Sequence, residues 1–115
     1  MPAAAGPGKR TYKKDMPAII NRNYNINMLY EWDERKRAEN LAKHGVDFAA
    51  AGTFDWDSAL VLRDVRFEYG ESRFIAIGRI GRRVHVMVFT TRNGNVRLIG
   101  LRKANRREIR RYEEA

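Results

Sequence analysis

Three consecutive stretches in the second half of the chain are rich in Val, Ile and Phe and are separated by tight-turn residues. That is the pattern of an antiparallel meander. Arg73 to Ile80 ends at Gly81-Arg82, Arg83 to Arg92 ends at Asn93-Gly94, and Asn95 to Arg102 closes the set. Asn-Gly between apolar runs is the strongest short-range hairpin signal, because both turn positions require positive φ. A fourth strand is expected from Ala59 to Arg63, joined to the meander by the polar connection Asp64 to Ser72. Upstream the apolar spacing becomes helical. Asp33 is placed to cap a helix, with Glu34 in the first turn where the helix dipole favours a carboxylate. The helix is expected to run to Lys43 and His44, with Gly45 taking the left-handed position that ends it. Ala38, Leu41 and Ala42 give it a thin apolar stripe. A second short helix is expected from Asp47 through Phe48, Ala51 and Phe54, and a terminal one from about Lys103 to Glu113. The order predicts an α+β domain: two N-terminal helices, a four-stranded, mainly antiparallel sheet and a C-terminal basic helix.

Residues 1–27 read differently. They hold Pro2, Pro7 and Pro17, Gly6 and Gly8, the basic cluster Lys9, Arg10, Lys13 and Lys14, and no sustained apolar period. A disordered or poorly packed extension is expected there, with the folded domain at 28–115. With 115 residues there is room for one domain. No cysteine is present, so disulfides and thiolate zinc sites are excluded. No apolar run reaches the ~18 residues that span a bilayer, and the N-terminus lacks the apolar core of a secretory signal. A cytoplasmic protein is expected.

Formal net charge is +9, and residues 28–115 alone keep +5. Such an excess favours polyanions; it serves nucleic acid and an acidic protein partner equally well.

Strand register carries the chemistry further. With two-residue turns, Arg92 faces Asn95, Thr90 faces Arg97, Val88 faces Ile99, Ile75 faces Val88 and Arg73 faces Thr90. Side chains alternate, so these share one sheet face. That face is expected to be apolar through Ile75, Ile77, Val86, Val88, Ile99 and Leu101, and to become a cationic row at the Asn93-Gly94 end: Arg73, Thr90, Arg97, with Arg92 beside it. Arginine's planar fork suits phosphate, and three could hold a scissile phosphodiester and its transition-state charge. The bland alternative is a solvated sheet end, its guanidiniums paired with Glu71, Asp64 or a partner. On the terminal helix, Lys103, Arg106, Arg107, Arg110 and Arg111 form one basic stripe, either a solvated face or a polyanion contact. Tyr112 is read as a packed anchor or a base-stacking ring. His44, in the last turn of its helix, is a cap or a catalytic group. His85 is expected to pack on the other sheet face, opposite Arg102. No His-Glu-x-x-His, Walker A or Gly-x-Gly-x-x-Gly motif occurs, and carboxylates do not cluster for Mg²⁺. Neither a metal nor another cofactor is therefore expected.

From Met28 onwards the chain resembles the BrnT family. The matching pieces are Trp32-Asp33-Glu34 with Lys36 and Asn40, then Lys43-His44-Gly45-Val46 with Phe48. Further along come Tyr69-Gly70-Glu71-x-Arg73, Gly78, Phe89-Thr90-x-Arg92 and Arg97, and the series closes with Leu101-Arg102-x-Ala104-x-x-Arg107-Glu108-x-x-x-Tyr112. Their order and spacing carry the resemblance. One departure is small: the usual Ser-Ala-Arg before the last helix reads Gly100-Leu101-Arg102. The resemblance implies a RelE-like fold and a ribonuclease toxin of a type II toxin–antitoxin system that stops translation. It also implies neutralisation by a BrnA-type antitoxin with a ribbon-helix-helix part, the only route to DNA.

The expected catalytic residues are Arg73, Arg92, Arg97 and Arg102, with His44 and Glu71 behind them. Lys43, Lys103, Arg106, Arg107, Arg110, Arg111 and Tyr112 are the expected contacts to RNA, as free mRNA or on the ribosome. Cleavage would use the 2′-hydroxyl as nucleophile, with His44 or Glu71 as base. The competing reading is a non-catalytic RNA- or ribosome-binding module. Direct sequence-specific DNA binding is weaker, because no helix-turn-helix pattern is evident.

Overall fold

Asp33 caps the first helix as its position suggests: its Oδ1 accepts from the backbone N–H groups of Arg35 at 2.8 Å and Lys36 at 3.2 Å. In the computed structural model, which describes residues 30–66 and 68–115, this helix, α1, spans Glu34–His44 and ends on Gly45 at φ +73°. The expected extension at 1–27 lies outside the described residues. Asp47 caps the next element through the N–H of Ala49, but that element is a 3-10 helix, Phe48–Thr53, rather than an α-helix. The apolar residues that marked it, Phe48, Ala51 and Phe54, are spaced by three. Three residues per turn put them on one side of a 3-10 helix, and all three are buried.

The sheet has five strands, not four. β1 (Tyr30–Glu31), β2 (Leu60–Asp64), β3 (Arg73–Ile80), β4 (Arg83–Arg92) and β5 (Asn95–Lys103) lie in the order β1-β5-β4-β3-β2. β1 runs parallel to β5 and the other neighbours are antiparallel. Two residues cannot display an alternation, so β1 was silent in the sequence. It is held by Trp56 Nε1 donating to the Tyr30 hydroxyl at 2.7 Å. The last helix, α2 (Arg106–Glu114), starts on a capping box: Asn105 Oδ1 accepts from the Glu108 N–H and Glu108 Oε1 accepts from the Asn105 N–H.

Both hairpin turns form as expected, but β4 and β5 do not stay in the expected register. Phe89 pairs with Leu98, whereas Val88 pairs with Gly100, leaving Ile99 as the extra residue of a bulge. Everything after Ile99 on β5 therefore changes sides. Leu101 moves off the face expected for it, and Arg102 pairs with Val86 on the face of Arg73 and Arg97. His85 faces Lys103, not Arg102.

The sheet's inner face is the main core. Phe74, Ala76, Met87, Phe89, Val96, Leu98 and Leu101 pack there beneath Val46, Phe48, Ala51, Phe54 and Trp56. Trp56 meets Phe54 and Phe89 edge-on, with ring centroids 4.8 and 5.4 Å away. A smaller cluster lies on the outer face, where Leu60, Ile77, Val84 and Val86 pack with Ala104 and Tyr112. Beyond that cluster Leu62, Ile75 and Val88 are only half-buried.

Candidate functional site

The half-open part of the outer face carries the arginines. Arg73 enters from β3, and Arg97 and Arg102 from β5; the bulge at Ile99 allows the two β5 residues, five apart, to share a side. Each guanidinium meets a carboxylate. Arg73 Nε lies 3.4 Å from Glu71 Oε2, and Arg97 Nη1 donates to Glu31 Oε1 at 2.9 Å. Arg102 grips Glu108 through both oxygens, at 2.9 and 2.7 Å. The three arginine side chains remain 27%, 25% and 36% exposed, so a ligand can reach them. Hydrogen bonds from Asn95 and Arg97 hold the Glu31 carboxyl below its ordinary range, and those from Arg102 do the same for Glu108. Both stay ionised, so these pairs balance charge as well as orient the guanidiniums.

The β2–β3 connection forms one wall. Asp64, the last residue of β2, lies opposite Arg73 with its side chain 1% exposed. Its oxygens accept from Arg66 Nε at 2.9 Å, Arg66 Nη2 at 3.0 Å and the Tyr69 hydroxyl at 3.1 Å. The Arg73 guanidinium lies 4.0 Å from the centre of the Tyr69 ring, within cation–π range. Arg66, Tyr69 and Glu71 line an open cleft of about 590 Å³ with Arg63 and Ser72.

The remaining expected residues scatter. Arg92 is exposed at the end of β4 opposite Asn95, and its charge helps to lower the pKa of Glu31. His44 and Lys43 line a different cleft, of about 250 Å³, between α1 and the bulge, with Lys36, Asn40 and Ile99. That cleft shares no lining residue with the one at Tyr69. His85 is buried on the inner face beside the Arg83 carbonyl at 2.8 Å, and burial pushes its pKa down. Lys103, Arg106, Arg107, Arg110 and Arg111 are exposed. Tyr112 is not a stacking platform: it is 2% exposed in the outer cluster, its hydroxyl 3.2 Å from that of Ser58.

Glu31, Arg66, Tyr69 and Glu108 are the site residues that sequence reasoning left out, and Asp64 entered it only as an alternative partner for the arginine row. For Asp64 a signal existed. Leu60, Leu62 and Asp64 are alternate residues of one strand, which puts the carboxylate on an apolar stripe. Among the described residues, no group of three His, Cys, Asp or Glu side chains is arranged to hold a metal ion. Nor is any described helix long and apolar enough to cross a membrane.

One family model matches residues 32–108, a ribonuclease toxin, BrnT, of type II toxin–antitoxin systems. The chain belongs to the BrnT toxin family. Membership makes it a toxin of a type II toxin–antitoxin system, in a family named for ribonuclease activity, and implies an antitoxin partner. The BrnT match runs from Trp32 into α2 and so contains Arg73, Arg97, Arg102 and Glu108, while Glu31 and Tyr112 lie outside it. No curated protein matches the chain significantly.

Proposed function

We propose that this BrnT-family toxin is a cytoplasmic, metal-independent endoribonuclease that inhibits translation, works on the outer sheet face and is silenced by a BrnA-type antitoxin. The observation that carries the reading is that Arg73, Arg97 and Arg102 share one sheet face, each oriented by its own carboxylate. A phosphodiester entering there meets forks already aimed, which is how a pentavalent phosphate is stabilised without reorganisation. The 2′-hydroxyl next to the scissile phosphate is the nucleophile. Glu71 is the base that fits this face: its arginine contact is the loosest of the three, at 3.4 Å against 2.9 Å for Glu31 and 2.7 Å for Glu108. His44 lies in the other cleft and serves there as an RNA contact with Lys43.

The direct test is cleavage of RNA by the purified full chain in excess EDTA, alongside growth arrest on induction and its relief by the cognate antitoxin. Cleavage that returns only with Mg²⁺ or Mn²⁺ would remove the metal-free mechanism. One observation favours a second reading, an RNA- or ribosome-binding module: Arg73, Arg97 and Arg102 each already face a carboxylate. Such a module would bind RNA and leave it intact.

A further inference from the structure

We propose that Arg66 is a phosphate-contacting residue of this site and that Asp64 is the positioning residue that aims it. The inference rests on the RNA-directed reading above and adds two residues to it.

Asp64 continues the stripe of Leu60 and Leu62, and its carboxylate is shielded from water. Burying a carboxylate is costly unless its oxygens are satisfied, and a third apolar residue would close the strand without that cost. The oxygens are fully engaged instead: two hydrogen bonds come from the Arg66 guanidinium, one from the Arg66 N–H at 3.2 Å and one from the Tyr69 hydroxyl. These bonds hold the carboxyl at about 2, so the anion persists at neutral pH.

What the buried anion holds is exposed. The Arg66 side chain is 64% exposed, on the wall of the cleft that Tyr69 and Glu71 share. A fork gripped side-on by a carboxylate keeps a fixed direction, while most of the Arg66 side chain stays open to solvent. One further link places it with the other arginines. Tyr69, held by the same carboxylate, carries the Arg73 guanidinium on its ring.

The test uses the full chain and two probes: an unmodified RNA oligonucleotide for cleavage, and its 2′-O-methyl counterpart, which cannot be cut by 2′-hydroxyl attack, for binding. Arg66→Ala should lower the slope of log affinity against log salt on the 2′-O-methyl probe by about one, the signature of one lost phosphate contact. It should also slow cleavage about 10–100-fold, and Arg66→Lys should recover only part, since charge returns without the fork. Asp64→Asn should slow cleavage comparably, yet add nothing in an Arg66→Ala background, because it acts through Arg66. A merely structural Asp64 would cost as much in either background, and that result overturns its positioning role. An unchanged salt slope for Arg66→Ala overturns the contact. A wild-type chain that leaves unmodified RNA intact overturns the ribonuclease reading instead, and the slope on the 2′-O-methyl probe still decides Arg66.

Discussion

Asn40 treats Leu101 as a neighbouring strand would. Its side-chain Nδ2 donates to the Leu101 carbonyl at 2.7 Å and its Oδ1 accepts from the Leu101 N–H at 3.2 Å. β1 covers only the Val96–Arg97 part of β5's outer edge, so the backbone further along would otherwise lack a partner. One amide from α1 closes that gap, and the same Nδ2 also donates to the Val46 carbonyl at 3.0 Å. The result ties α1, the loop after it and the strand that carries Arg97 and Arg102.

Asn40→Ala should therefore destabilise the fold by about 2–3 kcal/mol, because it strands buried backbone groups as well as removing bonds. Urea unfolding monitored by tryptophan fluorescence measures it. A loss no larger than that of an ordinary surface substitution would show that the clamp is redundant.

Much of this architecture was legible because it is written locally. Asp33 and Gly45 bound α1 through their own side-chain and backbone preferences, and Asn93-Gly94 needs only its two positive φ angles to define a hairpin. The bulge at Ile99 was not legible. It depends on which of two registers buries Leu101 better, a comparison of packing across strands that alternation alone cannot make. Because Arg102 follows the bulge, the composition of the site inherited that ambiguity. Glu71 was legible as a partner for the row, but the other two partners were hidden for a related reason. Glu31 and Glu108 come from a two-residue strand and a helix, and only the folded chain brings them to the arginines.

Gly78 sits where no side chain fits. A Cβ there would lie 2.7 Å from Phe54 Cζ and 3.2 Å from Ala59 Cβ, both in the main core. Gly78→Ala should cost about 1–3 kcal/mol as Phe54 is forced to shift. The lowered unfolding midpoint should be eased by Phe54→Leu in the same chain. Failure of that rescue would place the strain elsewhere.

Acid should loosen the site wall before neutral pH does. Asp64 titrates near 3.8 when unconstrained and at about 2 in the fold, chiefly through its hydrogen bonds from Arg66. The folded value is the lower one, so the unfolded chain takes up the proton first. The stabilisation is complete above pH ~4 and disappears as pH falls from there towards 2. Glu31 and Glu108, also depressed, act in the same direction. Urea midpoints measured between pH 5 and 2 should fall, and Asp64→Asn should fall less steeply than the wild type. Parallel curves would mean that Asp64 contributes nothing to acid sensitivity.

The arginines themselves separate chemistry from adhesion. Arg73, Arg97 and Arg102 are part-buried, oriented and on one face, so each change to Ala should slow cleavage by ~10²-fold, as losing one preorganised donor does. Lys at the same positions should recover little, because a point charge cannot reproduce the fork. Arg92 is exposed at the hairpin end, and Arg110 and Arg111 are exposed on α2. Changes at those three should weaken RNA binding modestly, with a shallower salt dependence and a nearly unchanged rate at saturation. Arg79 supplies the control. It lies opposite Val84 near the other hairpin, with its guanidinium 5.8 Å from the Tyr112 ring rather than in the row. Its loss should leave cleavage within a few-fold of the wild type. Single-turnover rates across the series, with unfolding midpoints to correct for any loss of fold, decide the matter. If Arg79→Ala and Arg97→Ala cut RNA equally fast, the outer face is a charged surface and the reaction is carried out elsewhere on the protein.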